Sequence, residues 1–253
     1  MPTVAALYRY PVKGLSAEPL ASVAVSRGET IPFDRAYAIE NGPSGFDPAA
    51  PRHLPKIVFL MLMRNERLAE LRTAFDDTTR TLTVRRNGTV VAKGCLGTEE
   101  GRRAIEAFFD RFSADDLRGP AKVLAAAGHS FSDTAGKMVS LVNLETVRAI
   151  AAEIGAPVHP LRFRGNLHVE GLPAWEEFGW VGKRLAVGGA ILEVTKRIDR
   201  CAATNVDPET AARDLTIPKS LLLAHGHADC GVYLRVVAGG KLTVGDTIGL
   251  IQA

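Results

Sequence analysis

Cys201 has the strongest claim to chemistry in this chain. It lies in Ile198-Asp199-Arg200-Cys201-Ala202-Ala203-Thr204-Asn205-Val206-Asp207-Pro208-Glu209-Thr210, with Lys196 and Arg197 just upstream. Cationic neighbours pull a thiol below its free pKa of about 8.5, and the thiolate is the form that attacks electrophiles and binds metals. The competing reading of a single cysteine is a small, buried, inert side chain. Leu192, Val194, Lys196 and Ile198 alternate with Glu193, Thr195, Arg197 and Asp199, the two-residue period of a strand. Asp207-Pro208 reads as the N-cap and first residue of a short helix. The cysteine therefore stands where a strand gives way to a loop.

Two other constellations carry reactive residue types. His225-Gly226-His227-Ala228-Asp229-Cys230 would put two imidazoles on one strand face, with a carboxylate and a thiol beside them. Its spacing matches no standard zinc motif, and a polar turn before a strand at 232–237 explains the same letters. Cys201 with His168 or His227 would make a Cys–His hydrolase, provided the fold brings them together. The chain has no G-x-G-x-x-G, P-loop or C-x-x-C. It thus lacks the usual signals for a nucleotide cradle, a thiol–disulfide enzyme or an iron–sulfur cluster. No flavin or haem signature occurs either, so electrons for a redox reaction would come from another protein.

The elements that must position these residues are mostly strands. Residues 3–10 read as a first strand running into Pro11-Val12-Lys13-Gly14, a loop that presents a lysine. Residues 22–40 hold a strand pair, with Asp34-Arg35 just before Ala36–Ile39. Residues 41–55, rich in Gly and Pro, read as a long surface loop, and 57–63 as a buried strand. Asn87-Gly88 between Leu82–Val84 and Val90–Ala92 predicts a hairpin. Thr98 predicts the cap of a helix whose apolar face is Ile105, Phe108, Phe109 and Phe112. Gly119-Pro120 marks a candidate boundary. Further on, 123–125 and 138–142 read as strands, and 144–154 as a helix stopped by Gly155 and Pro157. Residues 161–170 alternate, with Arg162, Arg164, Asn166, His168 and Glu170 on one face, which either lines a site or meets water. Leu185-x-Val187-Gly188-x-x-Ile191 recurs as Leu242-x-Val244-Gly245-x-x-Ile248, and two such strand–turn–strand units suggest a small closed barrel.

The chain's 253 residues allow one large domain or two small ones. A net charge of +3 and an aromatic content of 6% argue against nucleic-acid binding. Cys95, Cys201 and Cys230 are odd in number and widely spaced, which fits reduced thiols rather than a disulfide framework. The first ten residues have no secretory pattern, and the strongest apolar run, Ile57 to Met63, is too short to span a bilayer. The expectation is a cytoplasmic protein with no membrane or nucleic-acid partner.

Arg200-Cys201 followed by Thr204-x-Val206-Asp207-Pro208-x-Thr210 resembles the signature of the MOSC domain, the module at the C-terminus of molybdenum cofactor sulfurases. Tyr10-Pro11-Val12-Lys13 with Asp34-Arg35 is similar to the β-barrel domain that precedes it in many relatives. Phe131-Ser132-Asp133-Thr134, Arg162-Phe163-Arg164-x-Asn166 and Lys241-Leu242-Thr243-Val244-Gly245-Asp246 fit in the family's order, so the resemblance spans nearly the whole chain. It implies a pyranopterin molybdenum cofactor held between the halves, with Cys201 as the molybdenum ligand. By the same resemblance Lys13, Arg35, Arg164 and Arg200 would surround the pterin phosphate and rings. Ser132, Asp133, Thr134, Asn166 and Asp199 would add polar contacts. A soft thiolate suits a metal already bound by sulfur, and cations suit a phosphate. Gly14 stands where relatives often carry serine, and Gly165 replaces a proline seen in some.

The reading is a mostly β protein of two parts, an N-terminal β-rich barrel-like domain with a helix over residues 1–119 and a MOSC β-barrel domain over 120–253. Its expected activity, drawn from the similarity to amidoxime-reducing proteins, is oxygen-atom transfer from N-hydroxylated or N-oxide substrates, with an external electron-transfer protein as partner. The alternatives are a sulfur carrier holding a persulfide on Cys201, and a cofactor-binding or delivery protein without turnover.

Overall fold

The computed structural model describes residues 1–251. Fifteen strands and three α-helices account for its regular structure, joined by short 3-10 turns. The strands are β1 (Thr3–Arg9), β2 (Glu18–Leu20), β3 (Ser22–Val25), β4 (Tyr37–Glu40), β5 (Leu71–Asp76), β6 (Thr81–Arg86), β7 (Thr89–Cys95), β8 (Lys122–Ala125), β9 (Val139–Asn143), β10 (Leu167–Glu170), β11 (Arg184–Val187), β12 (Ala190–Asp199), β13 (Asp229–Ala238), β14 (Gly240–Thr243) and β15 (Ile248–Ile251). The helices are α1 (Glu99–Phe112), α2 (Leu144–Ile154) and α3 (Ile217–His225).

One eight-stranded sheet, in the order β15-β11-β12-β13-β9-β10-β1-β2, dominates the molecule. Only β9 and β10 run parallel within it. The first strand of the chain is therefore built into the sheet of the C-terminal half. The sheet curls until its far ends meet. Val4 donates to the carbonyl of Asp246 (2.9 Å), Gly245 to that of Val4 (2.8 Å) and Ile248 to that of Pro2 (2.9 Å). Inward-facing Val, Leu and Ile from nearly every strand fill the space this encloses, including Val139, Leu141, Val194, Val232 and Leu234, all fully buried. The second core lies under the antiparallel sheet β5-β6-β7 and α1. Asn87 and Gly88 take left-handed φ values of 50° and 79°, the pattern of a type I′ hairpin turn. The Thr98 hydroxyl accepts the Gly101 N–H at 3.1 Å, and Ile105, Phe108, Phe109 and Phe112 are buried beneath the helix, as their spacing requires.

Several local expectations fail for identifiable reasons. Residues 57–63 form no strand. Lys56–Val58 is a 3-10 turn, and Leu60 donates once to the Ile39 carbonyl before the chain folds back at Asn65, whose side chain accepts the Met61 N–H. An uninterrupted apolar run has no period to read, and here Phe59 and Leu60 serve two different cores. In 161–170 only β10 is a strand. Pro160–Phe163 is a 3-10 turn, and Arg164 adopts a left-handed φ of 50° that breaks the alternation. Arg162, Asn166 and His168 are buried rather than solvated.

Asp207-Pro208 starts no helix. Asp207 Oδ1 accepts the N–H groups of Glu209 and Thr210, but Ala211 at φ 62° closes the chain into a single turn. The helix falls later, at α3, which the sequence reading missed. The strands near 22–40 do not pair with each other: β3 joins β14 and β4 joins β8. Likewise Leu185–Ile191 is a hairpin, but Leu242–Ile248 is not, because β14 and β15 go to different partners.

Candidate functional site

Five chain segments converge on one cleft of about 490 Å³. The turn after β1 brings Lys13, and the turn before β4 brings Arg35. The connection from β8 to β9 brings Ser132, Asp133 and Thr134. The turn into β10 brings Arg164 and Asn166, and the end of β12 brings Asp199, Arg200 and Cys201. All ten residues singled out from the sequence line this cleft.

Asp34 ties the first of these turns together. Its Oδ1 accepts the Tyr10 N–H (2.8 Å) and the Asn166 amide (3.1 Å), while Oδ2 holds Arg35 at 2.6 Å. Asn166 is saturated: Nδ2 donates to Tyr8 O and Asp34, and Oδ1 accepts from the Ser140 N–H and hydroxyl. Its amide has no capacity left for a ligand, so it positions the wall. Ser132 likewise turns its hydroxyl to the Thr134 carbonyl at 2.8 Å. Gly165 is fixed by crowding. A Cβ there would meet Val142 Cγ2 at 2.6 Å and the His168 ring at 3.3 Å. At Gly14, φ 83° and a Leu60 carbonyl 2.8 Å from any Cβ exclude a side chain.

Eight lysines and arginines face the cleft against four aspartates, Asp34, Asp133, Asp199 and Asp229. Lys13 donates to the Phe131 carbonyl at 2.8 Å and pairs with Asp133. Burial pushes its pKa down, partly offset by Asp133, while Asp133 is held below the usual carboxylate range because Lys13, Lys56 and Arg35 together outweigh its own burial. Arg35 is pushed up despite burial, chiefly by Asp34. Arg162 is paired twice, with Asp207 and Asp214 at 2.8 Å.

Arg164 and Arg200 differ, since neither has a carboxylate partner among the described residues. Arg164 donates to the Leu15 carbonyl (2.8 Å) and lies 4.3 Å from the Tyr10 ring centre. Burial pushes it down to about 10. Arg200 donates to the carbonyls of Phe163 and Cys230, each at 2.7 Å. Half-buried cations that meet carbonyls and aromatic rings but no carboxylate leave a surplus of positive charge, which suits an anion.

Cys201 is half-buried at the start of a 3-10 turn and is the only cysteine on the cleft. Cys95, at the end of β7, donates to Thr79 O in the turn between β5 and β6, and Cys230 is buried, its thiol pushed up to about 12. Lys56 stands against Cys201 and Asp133. Burial lowers its pKa, but those two groups more than reverse the effect. A lone lysine at the end of an irregular loop gave no sequence signal. Tyr233 also lines the cleft, and the alternation of β13 between buried Val232 and Leu234 could have revealed it.

Neither His168 nor His227 reaches the cleft, so no Cys–His pair forms with Cys201. His225 instead bonds Glu153 at 3.0 Å and stacks on His227. Among the described residues no group of three His, Cys, Asp or Glu side chains is placed to hold a metal. No helix among them is long and apolar enough to cross a membrane.

This strand-rich frame with a cationic cleft between its halves is that of a MOSC protein. The chain belongs to the MOSC family: residues 1–128 match the MOSC N-terminal beta barrel domain and residues 127–249 the MOSC domain. Among solved structures it is similar to the YuaD protein from Bacillus subtilis, 15% identical over 99% of this chain and 96% of that one, with a TM-score of 0.46. YiiM from Geobacillus stearothermophilus is 20% identical over 45% of this chain and 54% of its own, with a TM-score of 0.37. YiiM from Escherichia coli is 21% identical over 46% and 54%, with a TM-score of 0.35. No curated protein matches the chain.

Proposed function

We propose that the cleft binds a pyranopterin molybdenum cofactor and that the protein reduces N-hydroxylated or N-oxide compounds by oxygen-atom transfer. Some members of the MOSC family are reductases that depend on this cofactor. The observation that carries the reading is the pairing of one half-buried thiol with two arginines, Arg164 and Arg200, that lack carboxylate partners. The donor set fits such a group: a soft sulfur for the metal and half-buried cations without carboxylate partners for a phosphate.

Cys201 would ligate the metal, and Arg164, Arg200, Lys13 and Arg35 would hold the anionic pterin. Asp34 and Asn166 keep those cations in register by tying three turns together. The cofactor, when bound, supplies two-electron oxygen-atom chemistry. The net reaction breaks the substrate's N–O bond and consumes two electrons and two protons, releasing water. The electrons come from a separate carrier in this reading, and the protein works in the cytoplasm. The division at Gly119-Pro120 into residues 1–119 and 120–253 belongs to the same proposal.

The test is reduction of benzamidoxime by cofactor-loaded protein with chemically reduced viologen as donor. Turnover supports the reading. Loaded protein that is inactive with every N-hydroxylated substrate, yet carries a persulfide on Cys201 by mass spectrometry, points instead to the sulfur carrier, for which a free thiol on the cleft is equally suited. Loaded protein with neither property would be a delivery protein.

A further inference from the structure

Every carbonyl of the turn that carries Cys201 has a partner. That of Cys201 accepts the Thr204 N–H and hydroxyl, at 3.1 and 3.0 Å, and that of Ala203 accepts the Val206 N–H at 3.2 Å. Arg162 donates to those of Thr204 and Asn205, at 3.4 and 3.0 Å. The Ala202 carbonyl, next along the chain from the thiol, goes to Arg213 Nη1 at 3.1 Å.

Arg213 also crosses to the other domain. Its Nη2 donates to the carbonyls of Leu62 and Met63, at 3.3 and 3.2 Å, and pairs with Glu66 at 3.0 Å. No other hydrogen bond to those two carbonyls occurs among the described residues. Leu62 and Met63 line the cleft with Cys201, whereas Arg213 and Ala202 do not. One guanidinium therefore ties two walls of the cleft together from outside it. The backbone aims it there, since Arg213 bridges to Val206 and the Asp207 N–H donates to the Ala212 carbonyl at 2.7 Å. An exposed ion pair alone contributes little to stability, so the weight falls on the three carbonyl bonds, each assisted by the charge. A planar fork can hold several acceptors at fixed spacing, which a lysine cannot do.

We propose that Arg213 is a positioning residue for Cys201: it fixes the thiol's turn against the Leu62–Met63 bend of the N-terminal domain. Without it the turn loosens and the thiol becomes more accessible. The inference does not rest on the reductase reading.

The test is alkylation of cofactor-free protein by iodoacetamide, with the rate at each cysteine followed by mass spectrometry. Arg213→Ala should raise the rate at Cys201 at least tenfold. Cys95, on a different sheet, should keep its rate, and buried Cys230 should stay protected. Losing a nearby positive charge would by itself disfavour the thiolate and slow the reaction, so electrostatics alone predicts the opposite sign. Glu66→Gln, which keeps the carbonyl bonds, should change the rate less than threefold. Arg213→Lys keeps the charge without the fork and should raise the rate at least threefold; it is the second variant should Arg213→Ala fail to fold. A folded Arg213 variant whose Cys201 reacts within twofold of wild type would overturn the proposal. So would Cys201 and Cys230 becoming reactive together, which would mark Arg213 as a general stabiliser of the fold.

Discussion

His168 makes the stability of this protein depend on acid in a way that can be calculated. It is 3% exposed, its Nε2 has no hydrogen-bond partner, and its ring packs 4.9 Å from that of Tyr8. Burial, with a smaller contribution from Arg200, pushes its pKa down to about 4. In the unfolded chain the value is about 6.5. Between these two values the unfolded state holds a proton that the folded state refuses, so stability rises with pH across the window. The contribution is complete above the unfolded value and is lost as pH falls toward the folded one.

At about 1.4 kcal/mol per pKa unit, the full loss by pH 4 is about 3 kcal/mol, and the loss between pH 7 and pH 5 is about 2 kcal/mol. That is a large share of a domain stability of roughly 5–15 kcal/mol. His168→Phe keeps a ring and removes the titration. Urea unfolding at both pH values should show wild type losing about 2 kcal/mol more than the variant. Any packing strain from the larger ring is constant with pH and cancels in that difference. Parallel losses within about 0.5 kcal/mol would refute the claim that a neutral, buried His168 is a stability switch.

Arg164→Met should stabilise the cofactor-free protein, because it relieves a desolvated cation with no carboxylate partner, and should lower cofactor retention; destabilisation in urea would show that the cation is already balanced. Cys201→Ala should abolish reduction while leaving the urea midpoint within error, whereas Cys95→Ala should preserve activity. Thr98→Ala should cost about 1 kcal/mol by removing the cap of α1, measured by the same unfolding assay. NADH or NADPH alone should give nearly no turnover, and adding a flavin reductase with a small electron carrier should restore it; full turnover with NADH alone would reveal a second cofactor site.

The elements that carry a period or a cap were legible in the sequence. The Asn87-Gly88 hairpin, the capped α1 and the strand leading to Cys201 each have a local cause, and each forms. What failed was long-range. Nothing in Ser22–Val25 or in Lys241–Thr243 tells that β3 and β14 are partners more than two hundred residues apart. Arg162 is a similar case: an alternating face suggested solvent or a site, but Asp207 and Asp214, over forty residues on, bury it as an ion-pair hub. Cys201 stood out by its strand-end, cationic setting and Arg164 and Asn166 by an alternating face, but the remaining cleft residues were assembled into one site only through a family resemblance. Even so, that resemblance could not distinguish groups free to meet a ligand, such as Arg164, from groups spent on scaffolding, such as Asn166. Lys56 escaped both routes, since it belongs to no motif and reaches Cys201 only through the path of the preceding loop.

The central claim is that surplus half-buried cations and one thiol form the seat of a pyranopterin molybdenum cofactor. The most direct test is the molybdenum and pterin content of protein purified from a host that makes the cofactor. Wild type should carry both in near-stoichiometric amounts, Cys201→Ala should lose molybdenum preferentially, and Arg164→Glu should lose both together. Folded wild-type protein from that host containing neither molybdenum nor pterin would contradict the account.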